Sequence, residues 1–376
     1  MKDYSNLING LDSESKSELR SGWSFCKIED QIKIIRRAFI EDDVEFDRFI
    51  TINDIKYFVF RFRAPQQGIL ATARNAFVAC EWASRHGLIP YIDFEWGYYF
   101  ENNFLAKDNF FDYVFEQNVT IDDIWNSNFI CGDINWEYSH DERIRKDLFG
   151  NTKDVRVNCV SDGYRSYYEN IKKYCDKWIR LLPEIKQLES IAQIHSSEQR
   201  ILGLAVREGF SQKDCLLSKN NMFLYHPKEP TIYECAKDVE EILSKYECDY
   251  LFVTAQTIDT IAYLREMWGD KLLFVPRTRP KQDEYYLASR RFMEENLDRN
   301  SYKYFEFCNS GSREAEIINT FTKERMKDYV REIVSLSACD VFVGGKAGGS
   351  IMACVWNGGK YEDVIFWNDE HNSALY

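Results

Sequence analysis

Short runs of strand character alternate along this chain with longer segments whose apolar residues recur at helical spacing. Such alternation leaves few options beyond α/β folds built on parallel sheets. Residues 55–62 (Ile-Lys-Tyr-Phe-Val-Phe-Arg-Phe) are rich in aromatic and β-branched side chains and read as a strand that ends at Ala64-Pro65-Gln66-Gln67-Gly68. Residues 69–85 then carry Ala, Leu, Phe, Val and Trp at helical spacing, with His86-Gly87 as a stop, and residues 88–93 form the next strand. This is a βαβ unit. Residues 161–194 are helical in pattern, with few breakers before Pro183, and read as a bridge into a second half. There, residues 200–206, 250–254, 272–275 and 341–343 read as strands, and residues 232–245, 258–268, 313–339 and 350–356 as helices. The pattern predicts two doubly wound domains, 1–195 and 196–376, and 376 residues at 45% hydrophobic content suit two cores.

A formal net charge of −13 offers no broad basic field to a nucleic-acid backbone or an anionic membrane surface, so nucleic acid is not an expected partner. A small polyanion is still accommodated, because a few arginines and one helix N-terminus suffice to hold a diphosphate. The 11 cysteines run from Cys26 to Cys354 without a CxxC pair, often among apolar residues as in Phe77-Val78-Ala79-Cys80. They read as reduced, buried thiols, and no structural metal is expected. Residues 1–20 lack an apolar signal core, and no stretch approaches the ~18 apolar residues of a membrane span. The chain is therefore expected in the cytoplasm without a transmembrane segment, a location that allows peripheral association with membrane-bound machinery.

The strongest chemical signal is Asp340-Val341-Phe342-Val343 followed by Gly344-Gly345-Lys346-Ala347-Gly348-Gly349-Ser350 and an apolar helix. Glycines let a backbone approach a ligand closely, and the helix start presents unpaired N–H groups to an anion. The spacing is neither a Walker A loop nor GxGxxG, so it does not name a nucleotide. A plain strand-to-helix turn with Ser350 as N-cap is the alternative. Arg207 ends the strand Ile201-Leu202-Gly203-Leu204-Ala205-Val206, where open α/β sheets place ligand groups; it could clamp a diphosphate or pair with Glu208. His226, in His226-Pro227-Lys228-Glu229-Pro230, could shuttle a proton or be simply solvated, and Glu208, Asp214 and Glu229 are candidate bases. In the first half, Gly68, Arg74, Asn75 and Asp93 occupy switch-point positions, and the aromatic run 94–100 suits either sugar rings or packing.

Several of these stretches together resemble the fucosyltransferase-like superfamily, which includes α-1,6-fucosyltransferases and protein O-fucosyltransferases, with bacterial polysaccharide-cluster members the most similar. The stretches are Gly68-Ile69-Leu70, residues 88–93, Leu202-Gly203-Leu204-Ala205-Val206-Arg207, residues 226–230 and residues 249–254. Above all, the likeness lies in Ser337-Ala338-Cys339-Asp340 running through the glycine turn to Asn357-Gly358-Gly359-Lys360-Tyr361. The resemblance covers roughly residues 57–368. It implies a GT-B-like architecture of two Rossmann-type domains with a cleft between them, the first for an acceptor and the second for a nucleotide sugar, usually GDP-fucose. It also implies inverting, metal-independent transfer, with Arg207 matching the diphosphate-binding arginine, Asp340 the acidic residue before the last strand, and Gly348, Gly349 and Ser350 the diphosphate-proximal turn.

Departures from the family pattern bear on the donor. Ala205 replaces the His often found two residues before the arginine, Glu208-Gly209-Phe210 replaces Gly-Thr-Asp after it, and Gln256-Thr257 replaces an acidic pair. The expected function is a transferase that moves a hexose, with fucose from GDP-fucose as the family's usual case, onto an oligosaccharide or lipid-linked surface glycan. Arg207, Glu208 and His226 are the catalytic candidates, and Arg207, Asp340, Gly348, Gly349 and Ser350 the donor-binding ones; no cofactor beyond the nucleotide-sugar substrate is expected. A degenerate transferase that binds nucleotide or glycan without turnover is the alternative. A nucleotide-dependent oxidoreductase is disfavoured, since no GxGxxG opens a βαβ unit.

Overall fold

The computed structural model describes residues 43–52, 54–62, 69–94, 109–133, 162–206, 232–285, 287–288, 312–318, 323–345 and 347–367. The chain divides into two compact units, one of residues 1–150 and 174–182, the other of residues 151–173 and 183–376. Each is an α/β unit around a parallel sheet. The expected junction near residue 195 falls inside the second unit, within a helix (Glu189–Ser196). No helix among the described residues is long and apolar enough to cross a membrane.

In the first unit, α1 (Asp43–Ile52) leads into β1 (Ile55–Phe62), α2 (Ile69–Arg85) and β2 (Ile89–Phe94). The short strand β3 (Phe115–Glu116), α3 (Ile121–Trp125) and β4 (Asn128–Asp133) follow. The sheet order is β2-β1-β4, all parallel, with β1 in the middle. A central parallel strand is covered on both faces and therefore reads as a continuous apolar run. Phe58 and Phe60 point one way, against Trp82 of α2, with ring centroids 5.0 and 6.2 Å away. Val59 points the other way and packs with Tyr91, Ile124 and Phe129. At the end of α2, Leu88 N–H donates to Ala83 O (2.9 Å) and Gly87 N–H to Ser84 O (3.1 Å), with Gly87 at φ 73°. This is a Schellman stop at the expected place.

Helix α4 (Asp162–Trp178) begins in the second unit, and its last turn with β5 (Arg180–Leu181) belongs to the first, where β5 pairs antiparallel with β3. Lys177 and Trp178 there donate to Glu81 of α2, at 2.9 and 3.1 Å. Burial works against the Glu81 carboxylate, but these donors hold its pKa below the ordinary range.

The second unit continues with α5 (Glu189–Ser196), β6 (Ile201–Ala205), α6 (Ile232–Lys245), β7 (Tyr250–Thr254), α7 (Ile258–Trp268) and β8 (Leu272–Leu273). Then come α8 (Arg313–Ile318), α9 (Lys323–Leu336), β9 (Val341–Gly344), α10 (Gly348–Asn357) and β10 (Asp363–Phe366). The five strands are parallel, in the order β10-β9-β6-β7-β8. One face of the sheet buries Leu202, Leu204, Leu251, Val253, Val341 and Val343 with Cys235 and Val239 of α6 and Ile261 and Leu264 of α7. On β6, Gly203 points the other way, and a Cβ there would come within 2.7 Å of the Leu336 side chain of α9. Cys80, Cys175, Cys235, Cys339 and Cys354 are buried, as expected, and Cys248 is half-buried.

Candidate functional site

Chain order reverses at β6: β7 and β8 extend the sheet on one side, β9 and β10 on the other. In open parallel sheets such a reversal opens a crevice beyond the carboxyl ends of the two strands that flank it, because their connections leave on opposite faces. Those strands are β6 and β9, paired from Leu202 on Val341 to Ala205 on Gly344. The glycine turn starts there. A Cβ on Gly344 would lie 2.8 Å from Ala205 Cβ and 3.1 Å from Ala205 O, so glycine is what lets the two strand ends stay this close.

Helix α10 opens at the same edge. Its N-cap is Ala347, extended at φ −108° and ψ 167°, whose methyl group accepts no hydrogen bond. The first backbone bond of the helix runs from Ile351 N–H to Ala347 O (3.0 Å), which leaves the N–H groups of Gly348, Gly349 and Ser350 ahead of the ladder. Ser350 is 5% exposed and sits in the first turn, so it is not the N-cap that the plain-turn alternative requires. Gly349 faces α9, where any side chain would overlap the Tyr329 hydroxyl and lie 3.1 Å from Ile333 Cδ1. Helix α9 thus fixes the start of α10 through contact with a glycine.

Arg207, Glu208 and His226 lie outside the described residues, as do Gly68, Asp214, Glu229 and the run 95–100. Val206, immediately before Arg207 in sequence, donates its N–H to Thr254 O (2.9 Å) at the carboxyl edge of β6 and β7. Arg74 and Asp93 are partly buried.

Asp340 is not brought to the glycine turn. It precedes β9, a strand length of roughly 13 Å away at 3.3 Å per residue. Its Oδ2 accepts from Ile201 N–H (2.8 Å) and lies 3.2 Å from His195 Nε2, which ties α5 to the amino ends of β6 and β9. A hollow of about 490 Å³ lies at that edge, lined in part by His195, Arg200, Asp340, Lys360 and Glu362. Four of these side chains are paired with one another, Arg200 with Glu362 and His195 with Asp340. The glycine turn, at the carboxyl edge, is the better ligand position on fold grounds.

A cluster that the sequence reading missed stands at the carboxyl edge beside β7. Glu332 of α9 has a side chain 2% exposed, flanked by Arg279 at 1% and Arg277 at 15%. Arg277 donates Nε to Glu332 Oε1 (3.0 Å) and Nη2 to Oε2 (3.2 Å), and Arg279 Nη2 also donates to Oε1. Both arginines reach one carbonyl as well: Ala255 O accepts from Arg277 Nη2 (3.0 Å) and Arg279 Nε (2.9 Å). Burial pushes the Glu332 carboxyl up against the pull of the two guanidiniums, and with both arginines permanently charged the carboxylate is the form that accepts these bonds. Two signals could have pointed here: arginines alternating between prolines in Pro276-Arg277-Thr278-Arg279-Pro280, and an acid set between Val330 and Ile333 on an apolar helix face.

The second unit is thus a doubly wound α/β unit with a glycine-lined helix start at its reversal point. No family model and no curated protein matches the sequence. Among solved structures the chain is similar to POFUT1 in its apo form, at a TM-score of 0.38 and 11% identity over 83% of this chain and 98% of that one. POFUT1 in complex with GDP-fucose gives 0.40 and 10% over 83% and 98%, and POFUT1 in complex with GDP gives 0.41 and 10% over 83% and 99%. Superpositions this loose carry no statement about fold or activity.

Proposed function

We propose that this chain is an inverting, metal-independent glycosyltransferase of GT-B type, with the donor held by the second unit and the acceptor by the first. One observation carries the reading: the glycine turn and the start of α10 coincide with the reversal point of the β10-β9-β6-β7-β8 sheet. Three N–H groups at a helix start suit a diphosphate, and the crevice is where a doubly wound sheet takes a nucleotide. The sugar-transfer part rests on the sequence resemblance.

In this mechanism the diphosphate of a nucleotide sugar lies against Gly348, Gly349 and Ser350, and Arg207 balances the charge that grows on it as its bond to the sugar C1 breaks. The acceptor hydroxyl attacks C1 from the opposite face, which inverts the centre, and Glu208 or His226 takes the hydroxyl proton. Arg207→Ala is expected to lower transfer about 10²–10³-fold, the usual loss when one such donor is removed, and to weaken nucleotide binding. Unchanged rate and affinity in that variant would sink the mechanism. The donor comes from a thermal-shift panel of GDP, UDP, CMP and dTDP, since a ligand of the native state raises its apparent stability.

One observation favours the second reading, a transferase-fold protein that binds nucleotide without turnover. Where the resemblance implies an acidic pair, the corner after β7 carries Gln256 and Thr257, and Thr257 is fully buried with its hydroxyl 3.5 Å from that of Thr260. Nucleotide binding with no transfer or hydrolysis across a broad donor panel would support it.

A further inference from the structure

The buried carboxylate shared by two arginines has a geometry that a purely structural ion pair does not need. Both guanidiniums donate to Ala255 O, the first residue past β7, and so fix the corner Ala255-Gln256-Thr257 that leads into α7. The corner lies beside the carboxyl end of β6, since Ala205 pairs with Thr254 and Val206 N–H donates to Thr254 O. Glu332, the partner of both arginines, belongs to α9. One turn before it Tyr329, and next to it Ile333, pack on Gly349 at the start of α10. A single helix therefore grips the glycine turn at one point and the β7 corner at another. The two gripped places are separated by β6, two strand spacings or about 10 Å apart, which is within reach of a nucleoside attached to a diphosphate seated at α10. In doubly wound sheets the corner after the second strand is also where a nucleotide's ribose is met.

We infer that Glu332, Arg277 and Arg279 are positioning residues that set the distance between a nucleoside subsite at Ala255-Gln256-Thr257 and the diphosphate subsite at Gly348-Gly349-Ser350. The inference rests on the proposed nucleotide-sugar reading. Its consequence is selective: loosening the network harms ligands that span both subsites and spares those that occupy only one.

Isothermal titration of the full chain tests this with GDP, UDP and dTDP as spanning ligands and inorganic pyrophosphate as the one-subsite ligand. Glu332→Gln keeps the side-chain shape but removes the charge that both arginines share. Arg277→Lys, at the more open side of the network, is the second variant should Glu332→Gln fold poorly. Each is expected to weaken the best nucleotide about tenfold, the scale of one hydrogen bond to a ligand, while pyrophosphate affinity stays within about twofold. Equal weakening of both ligands would mark the network as structural only and overturn the inference. So would unchanged binding, or tighter binding of both by Glu332→Gln, the sign expected if only the added positive charge counted. Wild-type chain that binds neither pyrophosphate nor any nucleotide overturns the proposed function itself, and this inference with it.

Discussion

Glu332→Ala is expected to destabilise the second unit by about 3–5 kcal/mol, because it leaves two guanidiniums buried without the carboxylate that they share. Arg279 is 1% exposed and Arg277 15%, so neither recovers full hydration by a small movement. At roughly 2–4 °C per kcal/mol for a unit of this size, the thermal midpoint should fall by about 6–20 °C. Calorimetry checks it. A buried ion cluster is strongly stabilising only relative to its own broken forms, so the effect should be non-additive. Replacing all three residues by apolar ones of similar volume is expected to recover much of the loss. A single alanine variant that melts within about 1 °C of wild type would show that water or another group reaches these arginines readily, against their burial.

Trp82→Ala is expected to cost the first unit about 3–5 kcal/mol, the range for removal of a large aromatic side chain from a packed core. Trp82 is 1% exposed and stands edge-on to Phe58, at an interplanar angle of 88°, and to Phe60 at 74°. Edge-to-face pairs add to the area that the ring buries. Its loss opens a cavity between α2 and the central strand, which a short helix-to-sheet contact cannot close. Denaturant unfolding should show a lower midpoint with little change in slope. Trp82→Phe, which keeps an aromatic ring in the gap, should cost distinctly less. Similar losses for the two variants would mean that the site relaxes around any smaller residue.

Much of the fold was legible where one physical signal acted alone. Residues 55–62, 69–85, 232–245, 250–254 and 258–268 carry strong periodicity between clear breakers, and the elements occupy those bounds. The strand read at 272–275 stops at Leu273, ahead of Pro276, which offers no N–H to extend a ladder. The passage from one unit to the other lies within residues 162–178, where the helical pattern runs on without a break and gives no local sign of it. That passage is made by contacts such as those of Lys177 and Trp178 with Glu81, 96 and 97 residues away in sequence, and no local window contains them.

The strand-to-helix glycine turn was legible by the same rule. Gly344, Gly348 and Gly349 stand out because glycines between a strand and a helix let backbones come close, and close approaches occur at Gly344, against Ala205, and at Gly349, against Tyr329. Asp340 sits in the same stretch, yet adjacency in sequence across a strand means opposite edges of a sheet, and its bonds to Ile201 and His195 belong to the amino edge. Arg277, Arg279 and Glu332 were hidden for a different reason. Their partnership spans 53–55 residues, and arginines and acids are too common along the chain for any pair to stand out.

The buried cysteines make each unit its own clock. Burial, reinforced by the neighbouring carboxylates of Glu81 and Asp340, pushes the Cys80 and Cys339 thiols well above the ordinary range, so both are poor nucleophiles while the surrounding core is closed. Cys80 and Cys175 report on the first unit, and Cys235, Cys339 and Cys354 on the second. With the other cysteines replaced, the rate at which each set reacts with a thiol reagent measures how often that core opens. The two cores could thus be timed separately, in one chain and without an added probe.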